Sequence, residues 1–143
     1  MNMAKLLVFV PCEKIILDDQ GNASLIVLFH SLDARGTTGD IPKNAVTPKE
    51  WAIFTMWQWL PEERGKEFSQ IIQILWPDGT EFKRFPLEFK AGETKYHQNR
   101  VNIVGFPIGQ IGEITVNMWL EENSRRFGDT YSYSLAVSHA RAS

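Results

Sequence analysis

The chain has 143 residues, of which 43% are hydrophobic and 22% charged, and its formal net charge is −2 at pH 7. This balance excludes a disordered chain, a collagen-like repeat and a coiled coil, and the length predicts one domain over residues 1–143. The weak negative charge predicts no sequence-independent attraction to nucleic acid or to an anionic membrane. Because the single cysteine, Cys12, cannot form an internal disulfide, we expect a cytoplasmic protein.

The start of the chain predicts two strands joined by a tight turn. The apolar run at residues 6–10 ends at Pro11 and is shorter than the roughly 7–15 residues of a signal-peptide core, so we expect a strand there, continued at residues 15–17. Residues 18–22 have the composition of a turn. The returning strand, expected at residues 23–31, has apolar residues on both faces and therefore fits a central position in a sheet.

The middle of the chain holds the longest predicted loop and one ambiguous segment. Residues 32–47 show neither helical nor strand periodicity and are expected to form a loop. Thr47, Pro48 and Glu50 resemble a helix N-terminus, with an N-cap, a first-turn proline and a capping box. Residues 51–60 nevertheless contain three tryptophans together with isoleucine, phenylalanine and threonine, and β-branched and aromatic residues favour a pleated strand. We predict a strand, with a short helical turn before it as the alternative.

A hairpin signal lies near residue 78. Pro77, Asp78 and Gly79 separate apolar runs, a pattern typical of a two-strand hairpin. Pro86 lies inside the return strand, and because proline cannot donate a ladder hydrogen bond, this strand is expected at a sheet edge or a bulge.

The remaining sequence predicts three more strands, at residues 99–106, 114–120 and 131–137. In the second of these, apolar residues at even positions alternate with Thr115, Asn117 and Trp119. One face of this strand is therefore expected in the core, and the other faces solvent or a partner.

Taken together, the pattern predicts an all-β fold. We expect an antiparallel two-sheet β-sandwich of about eight strands, immunoglobulin-like or C2-like, with at most one short helical turn. A β-barrel is the main alternative.

Several short fold motifs are spread over nearly the whole chain. They are Val8-Phe9-Val10-Pro11-Cys12-Glu13-Lys14, Gly21-Asn22-Ala23-Ser24-Leu25, Glu50-Trp51-Ala52, Pro77-Asp78-Gly79, Asn102-Ile103-Val104-Gly105-Phe106 and Gly112-Glu113-Ile114-Thr115-Val116. Together they resemble a family of small uncharacterised bacterial β-sandwich proteins. The resemblance implies an architecture and no activity, because none of these segments is a reaction motif.

Residues that could carry chemistry are few and scattered. The three histidines, His30, His97 and His139, lie on different segments without the spacing of a metal site. Cys12 follows Pro11 in an apolar strand and is expected to be a buried small hydrophobe. Asp18 and Asp19 are the best candidates for a loop cation site, although calcium needs more ligands than one loop supplies here. We therefore predict no enzyme, no cofactor and no metal.

The five tryptophans are the most informative residues for function. Trp51, Trp57 and Trp59 share one parity along their strand, and Trp119 lies on the face opposite to the apolar face of its own strand. Most of this aromatic surface must be core. The leading hypothesis is a non-catalytic protein-interaction or self-association domain, whose outward aromatic strip joins Trp119 with one or more of the other three. The alternative is a carbohydrate-binding module that uses surface tryptophans.

Overall fold

The computed structural model describes residues 4–28, 30–36, 41–92 and 94–141. These residues form nine strands and one 3₁₀ turn, η1, and contain no α-helix, so the all-β prediction is confirmed. In chain order the elements are β1 (Lys5–Leu17), β2 (Ala23–Leu28), β3 (Ser31–Gly36), β4 (Val46–Gln58), η1 (Pro61–Glu63), β5 (Glu67–Leu75), β6 (Glu81–Lys90), β7 (Tyr96–Pro107), β8 (Gly112–Glu122) and β9 (Arg125–Arg141).

The strands form two sheets. Sheet A has the order β2-β1-β4-β7 and sheet B the order β3-β9-β8-β5-β6. All pairs in sheet A are antiparallel, but in sheet B β3 runs parallel to β9. The expected antiparallel pairing is therefore wrong at this edge, and β2, which was expected in a central position, is an edge of sheet A. The chain leaves the edge of sheet A at Leu28, enters the edge of sheet B at Ser31, and there runs in the same direction as β9.

Two predictions for the middle of the chain have different outcomes. The segment after Thr47 is a strand, as predicted, because its β-branched and aromatic residues pair on both sides, with β1 and β7. The loop predicted at residues 32–47 is wrong at both ends, since β3 extends to Gly36 and β4 begins at Val46, where a helical turn was the alternative. Residues 37–40 of that loop lie outside the described residues.

A single hydrophobic core lies between the sheets. Sheet A contributes odd-numbered residues of β4, including Trp51, Ile53 and Trp57. The even-numbered apolar residues of β8 that were predicted as core are all at most 1% exposed: Ile114, Val116, Met118 and Leu120. Because side chains alternate across a strand, the other parity of β8 faces away from the core.

The hairpins follow local sequence chemistry. The Asp78 turn is closed by hydrogen bonds from Trp76 N to Thr80 O and from Gly79 N to Trp76 O, both 2.8 Å, as predicted. The β6 strand that contains Pro86 is an edge of sheet B, also as predicted. Between β8 and β9 the turn residues Asn123 and Ser124 both have positive φ, 51° and 63°, which matches the twist of a two-residue hairpin.

Candidate functional site

Three of the four tryptophans proposed for binding lie in the core. Trp51, Trp57 and Trp59 are 1–2% exposed. The Trp57 and Trp59 rings stack with centroids 6.1 Å apart, and Trp51 Nε1 donates to Gly105 O at 2.9 Å. Their odd parity directs them toward sheet B, so they do not join Trp119 in an outward strip. Of Trp119 and the three residues expected to join it in an outward strip, only Trp119 lies on an outer face.

A buried polar cluster holds this part of the core. Gln70 Oε1, on β5, accepts hydrogen bonds from Thr55 Oγ1 at 2.8 Å, Trp57 Nε1 at 3.0 Å and Asn99 Nδ2 at 3.2 Å. The donors belong to sheet A and the acceptor to sheet B, so one oxygen links the two sheets. The four side chains are at most 5% exposed, which makes this cluster structural rather than a surface for ligands.

Sequence reasoning missed the Gln70 cluster, although a signal was present. Gln70 has the same parity as Phe68, Ile72 and Ile74, all of which lie in the core. A polar side chain on a core-facing parity must find a partner, since an unpaired buried amide costs about 1–3 kcal/mol.

Trp119 lies at a β-bulge on the outer face of sheet B. Met118 pairs with Tyr131, but Leu120 pairs with Phe127, so residues 128–130 of β9 oppose Trp119 alone. Gly128, with φ 80°, lies in this bulge. Bulges are common next to functional sites because they redirect a side chain and interrupt regular pairing.

Charged side chains cover the Trp119 ring. The guanidinium carbon of Arg126 lies 4.3 Å from the ring centroid, and that of Arg84 lies 5.6 Å from it. Trp119 Nε1 donates to Glu121 Oε2 at 2.8 Å, and Arg126 Nη1 donates to Thr130 Oγ1 within the bulge at 2.9 Å. The tryptophan is therefore only 5% exposed, and the groups against it are two cations, a carboxylate and Ile71, its cross-strand partner in β5.

A row of polar side chains crosses the same face beside Trp119. Ser132 Oγ donates to Asn117 Oδ1 at 2.6 Å, and Asn117 Nδ2 donates to Gln73 Oε1 at 3.3 Å. Gln73 Nε2 and Arg84 Nε both donate to Glu81 Oε1 at 3.0 Å. These hydrogen bonds lower the pKa of Glu81, with the bond from Gln73 as the largest cause. The row joins four strands and aligns donors and acceptors along one surface.

An open depression of about 700 Å³ lies on the other side of Trp119. Its floor includes Ser69 and Ile71, and Glu88 and Glu121 contribute to its lining. Ser69 is opposite Glu88 in β6 and opposite Glu121 in β8. Because the serine side chain is shorter than the two glutamates on either side of it, the depression is deepest at Ser69. Trp119, its arginines, the polar row and this depression are together called the Trp119 face.

The other candidate residues do not converge. His30 is exposed, His97 contacts Asn99 Oδ1 at 2.8 Å, and His139 contacts the carbonyl of Ile108. Among the described residues no group of three or more histidine, cysteine, aspartate or glutamate side chains is arranged to hold a metal ion.

Cys12 and Asp18 have local roles. Cys12 is fully buried, as expected, and this burial raises the pKa of its thiol, which disfavours the reactive thiolate. Asp18 accepts hydrogen bonds from Gln20 N at 2.9 Å and Asn22 N at 2.8 Å. These bonds, led by that from the Asn22 backbone, lower the pKa of Asp18. The carboxylate thus stabilises its own turn.

Comparison with known proteins adds no relative. No protein-family model matches the sequence, and no curated protein is significantly similar to it. In the part of the chain that the structure describes, no helix is long and apolar enough to cross a membrane.

Proposed function

We propose that this chain is a non-catalytic protein-interaction domain and that the Trp119 face is its contact surface. The observation that carries the proposal is the bulge at Trp119, which places a tryptophan between two arginines beside an open depression. Tryptophan and arginine are the residue types most enriched among the energetic hot spots of protein interfaces.

The ordered polar surroundings support the same proposal. Protein interfaces combine a well-packed aromatic centre with a polar rim that forms hydrogen bonds. Here the side chains of Asn117, Gln73 and Glu81 are already fixed by hydrogen bonds, so little side-chain entropy is lost when a partner binds them.

Sugar binding by stacking on tryptophan is less favoured by this arrangement. A sugar must displace both arginines to stack on Trp119, whereas a protein partner can also contact the arginines themselves. None of the five tryptophans, all of which lie in the described part of the chain, is classed as exposed.

We also propose that the two sheets form a β-sandwich of the immunoglobulin-like or C2-like kind. The shared core between sheets A and B supports this assignment.

Site-specific photocrosslinking in the source cells tests the function. A photoreactive residue replaces Ser134, an exposed residue of β9 opposite Thr115 on the outer face of sheet B. We expect a crosslink to a protein, which is then purified and titrated against the full chain. Trp119→Ala should weaken this binding at least about 30-fold, as expected for a hot spot worth about 2 kcal/mol or more.

The control is Arg64→Ala, an exposed cation outside the Trp119 face, which should leave the affinity unchanged. Absence of any protein crosslink above that obtained without irradiation contradicts the proposal. A tryptophan fluorescence change with a polysaccharide, lost in Trp119→Ala, also contradicts it and supports a carbohydrate-binding module.

A further inference from the structure

The four edge strands of the two sheets differ in how they are protected. The edges of sheet A are β2 and β7, and those of sheet B are β3 and β6. Strands β2 and β3 have six residues each, and β6 carries Pro86 together with Lys83, Arg84 and Lys90. Short length, proline and lysine are the usual means by which natural proteins prevent an edge from pairing with another chain.

The β7 edge is long and lacks proline and lysine over most of its length, and Arg100 is the one arginine between Tyr96 and Val104. It has twelve residues, and from Tyr96 to Val104 it contains no proline and no lysine. Among the described strands only β4 pairs with it. Its regular edge ends at Gly105, which has φ 107°. An unprotected edge of this length presents a row of backbone donors and acceptors to another strand.

The outward side chains of β7 are also suited to pairing. Two large hydrophobic side chains of this strand are open to solvent: Tyr96 is 46% exposed and Val104 is 64% exposed. Between them lie Arg100 and Asn102, both exposed. This surface belongs to sheet A and is separate from the Trp119 face on sheet B.

We propose that the β7 edge pairs antiparallel with β7 of a second copy of this chain. The pairing joins two four-stranded sheets into one of eight strands, within the size that sheets commonly reach. A two-fold axis lets one surface serve both copies. This interface goes beyond the proposed function and does not depend on it.

Charge disfavours one register of this pairing, and a side-chain hydrogen bond favours the next. If the axis passed at Arg100, the two guanidinium groups would lie directly opposite each other, which is unfavourable. With the axis at Val101, residues equally far on either side of Val101 face each other. Arg100 then lies opposite Asn102 of the second copy, whose side-chain oxygen can accept from it, and Val104 lies opposite Gln98. The register about Val101 therefore places no two like charges directly opposite each other and gives Arg100 a side-chain acceptor.

Sedimentation velocity of the full chain from about 1 μM to about 1 mM tests the pairing. We expect a concentration-dependent dimer, together with slower amide hydrogen exchange within residues 97–104 as the dimer forms. Asn102→Asp adds a carboxylate opposite each Arg100 and should tighten the dimer about 2- to 30-fold. Asn102→Lys adds a cation there and should weaken it by a similar factor.

Matched controls distinguish a charge placed opposite Arg100 from a change in the net charge of the chain. Ser134→Asp and Ser134→Lys make the same charge changes on β9, away from β7, and should leave the dimer unchanged. A strict monomer at the highest concentration overturns the inference, as does a dimer that responds equally to both substitutions at residue 102. A dimer lost in Trp119→Ala but unaffected at residue 102 also overturns it, and leaves the proposed function standing. Circular dichroism verifies that each variant is folded.

Discussion

Trp57 and Trp119 are both almost inaccessible to solvent, at 1% and 5% exposed, but different groups cover them. Trp57 stacks on Trp59, meets Tyr131 edge to face, and donates to the buried oxygen of Gln70. Trp119 is covered by Arg126 and Arg84 and donates to Glu121. The cover of Trp57 is part of the core, whereas the cover of Trp119 consists of long charged side chains.

The difference separates a structural tryptophan from one available to a partner. Groups in the core cannot move aside without opening the fold. Arginine side chains on a sheet surface can rotate into water and expose the ring, at the loss of cation–π contacts worth about 0.5–1 kcal/mol each. Low exposure alone therefore does not distinguish core from a covered binding surface; the chemistry of the covering residues does.

The largest effect is expected for Trp57→Ala. The substitution removes the stacked ring and leaves the acceptor Gln70 with fewer donors, so the free energy of unfolding should fall by about 3–5 kcal/mol, as for other buried large-to-alanine changes. Urea unfolding followed by circular dichroism measures it. A loss no greater than that caused by Trp119→Ala would break the distinction between the two sites.

A smaller effect is expected for Trp119→Ala in the same assay. Two cation–π contacts of about 0.5–1 kcal/mol each are lost, so the free energy of unfolding should fall by about 1–2 kcal/mol. The freed arginines become hydrated, which limits the loss. If this variant were as unstable as Trp57→Ala, Trp119 would be a core residue. The weaker partner binding of Trp119→Ala would then reflect loss of the fold and not loss of a contact.

The sequence predicts where strands lie more reliably than it predicts which strands pair with each other. Alternation fixes the two faces of β8 because the core side chains at residues 114–120 recur with period two. Pro86 identifies an edge strand for a local reason, the missing N–H. These predictions succeed because the physical cause lies within a few residues of the feature.

Features that depend on distant pairing could not be predicted in the same way. Half of the residues of β3, Ser31–Gly36, are polar, and its parallel partner β9 lies about a hundred residues away along the chain, as in the Ser138–Asp33 hydrogen bond. The bulge opposite Trp119 is an offset between two strands, so neither strand shows it alone. The sequence shows that Trp51, Trp57 and Trp59 share one parity, but it does not show whether that face of the sheet is turned to the core or to solvent.

The smallest effect is expected from acid, and it should appear on the Trp119 face rather than in the Gln70 cluster. Hydrogen bonds from Gln73 and Arg84 lower the pKa of Glu81 below its ordinary value of 4.5. The folded chain therefore holds the ionised carboxylate more strongly than the unfolded chain does, and this contribution is present above the unfolded pKa. It is lost as the pH falls through the lower folded pKa. The donors to Gln70 Oε1 are the non-ionisable side chains of Thr55, Trp57 and Asn99, and the ionisable group next to them is His97, which contacts Asn99 Oδ1 rather than Glu81.

Glu81→Gln tests that assignment, because glutamine keeps the shape of the side chain and removes the titration. Between about pH 6 and pH 3 the variant should lose less stability than the unmodified chain, in urea unfolding at each pH. The amide signals of Gln73 and Asn117 should shift over this range only in the unmodified chain, while the indole signal of Trp57 should behave identically in both chains. A Trp57 shift that follows the Gln73 shift and disappears in Glu81→Gln would mean that the polar row and the core respond together. Trp57 and Trp119 would then not belong to separate parts of the molecule.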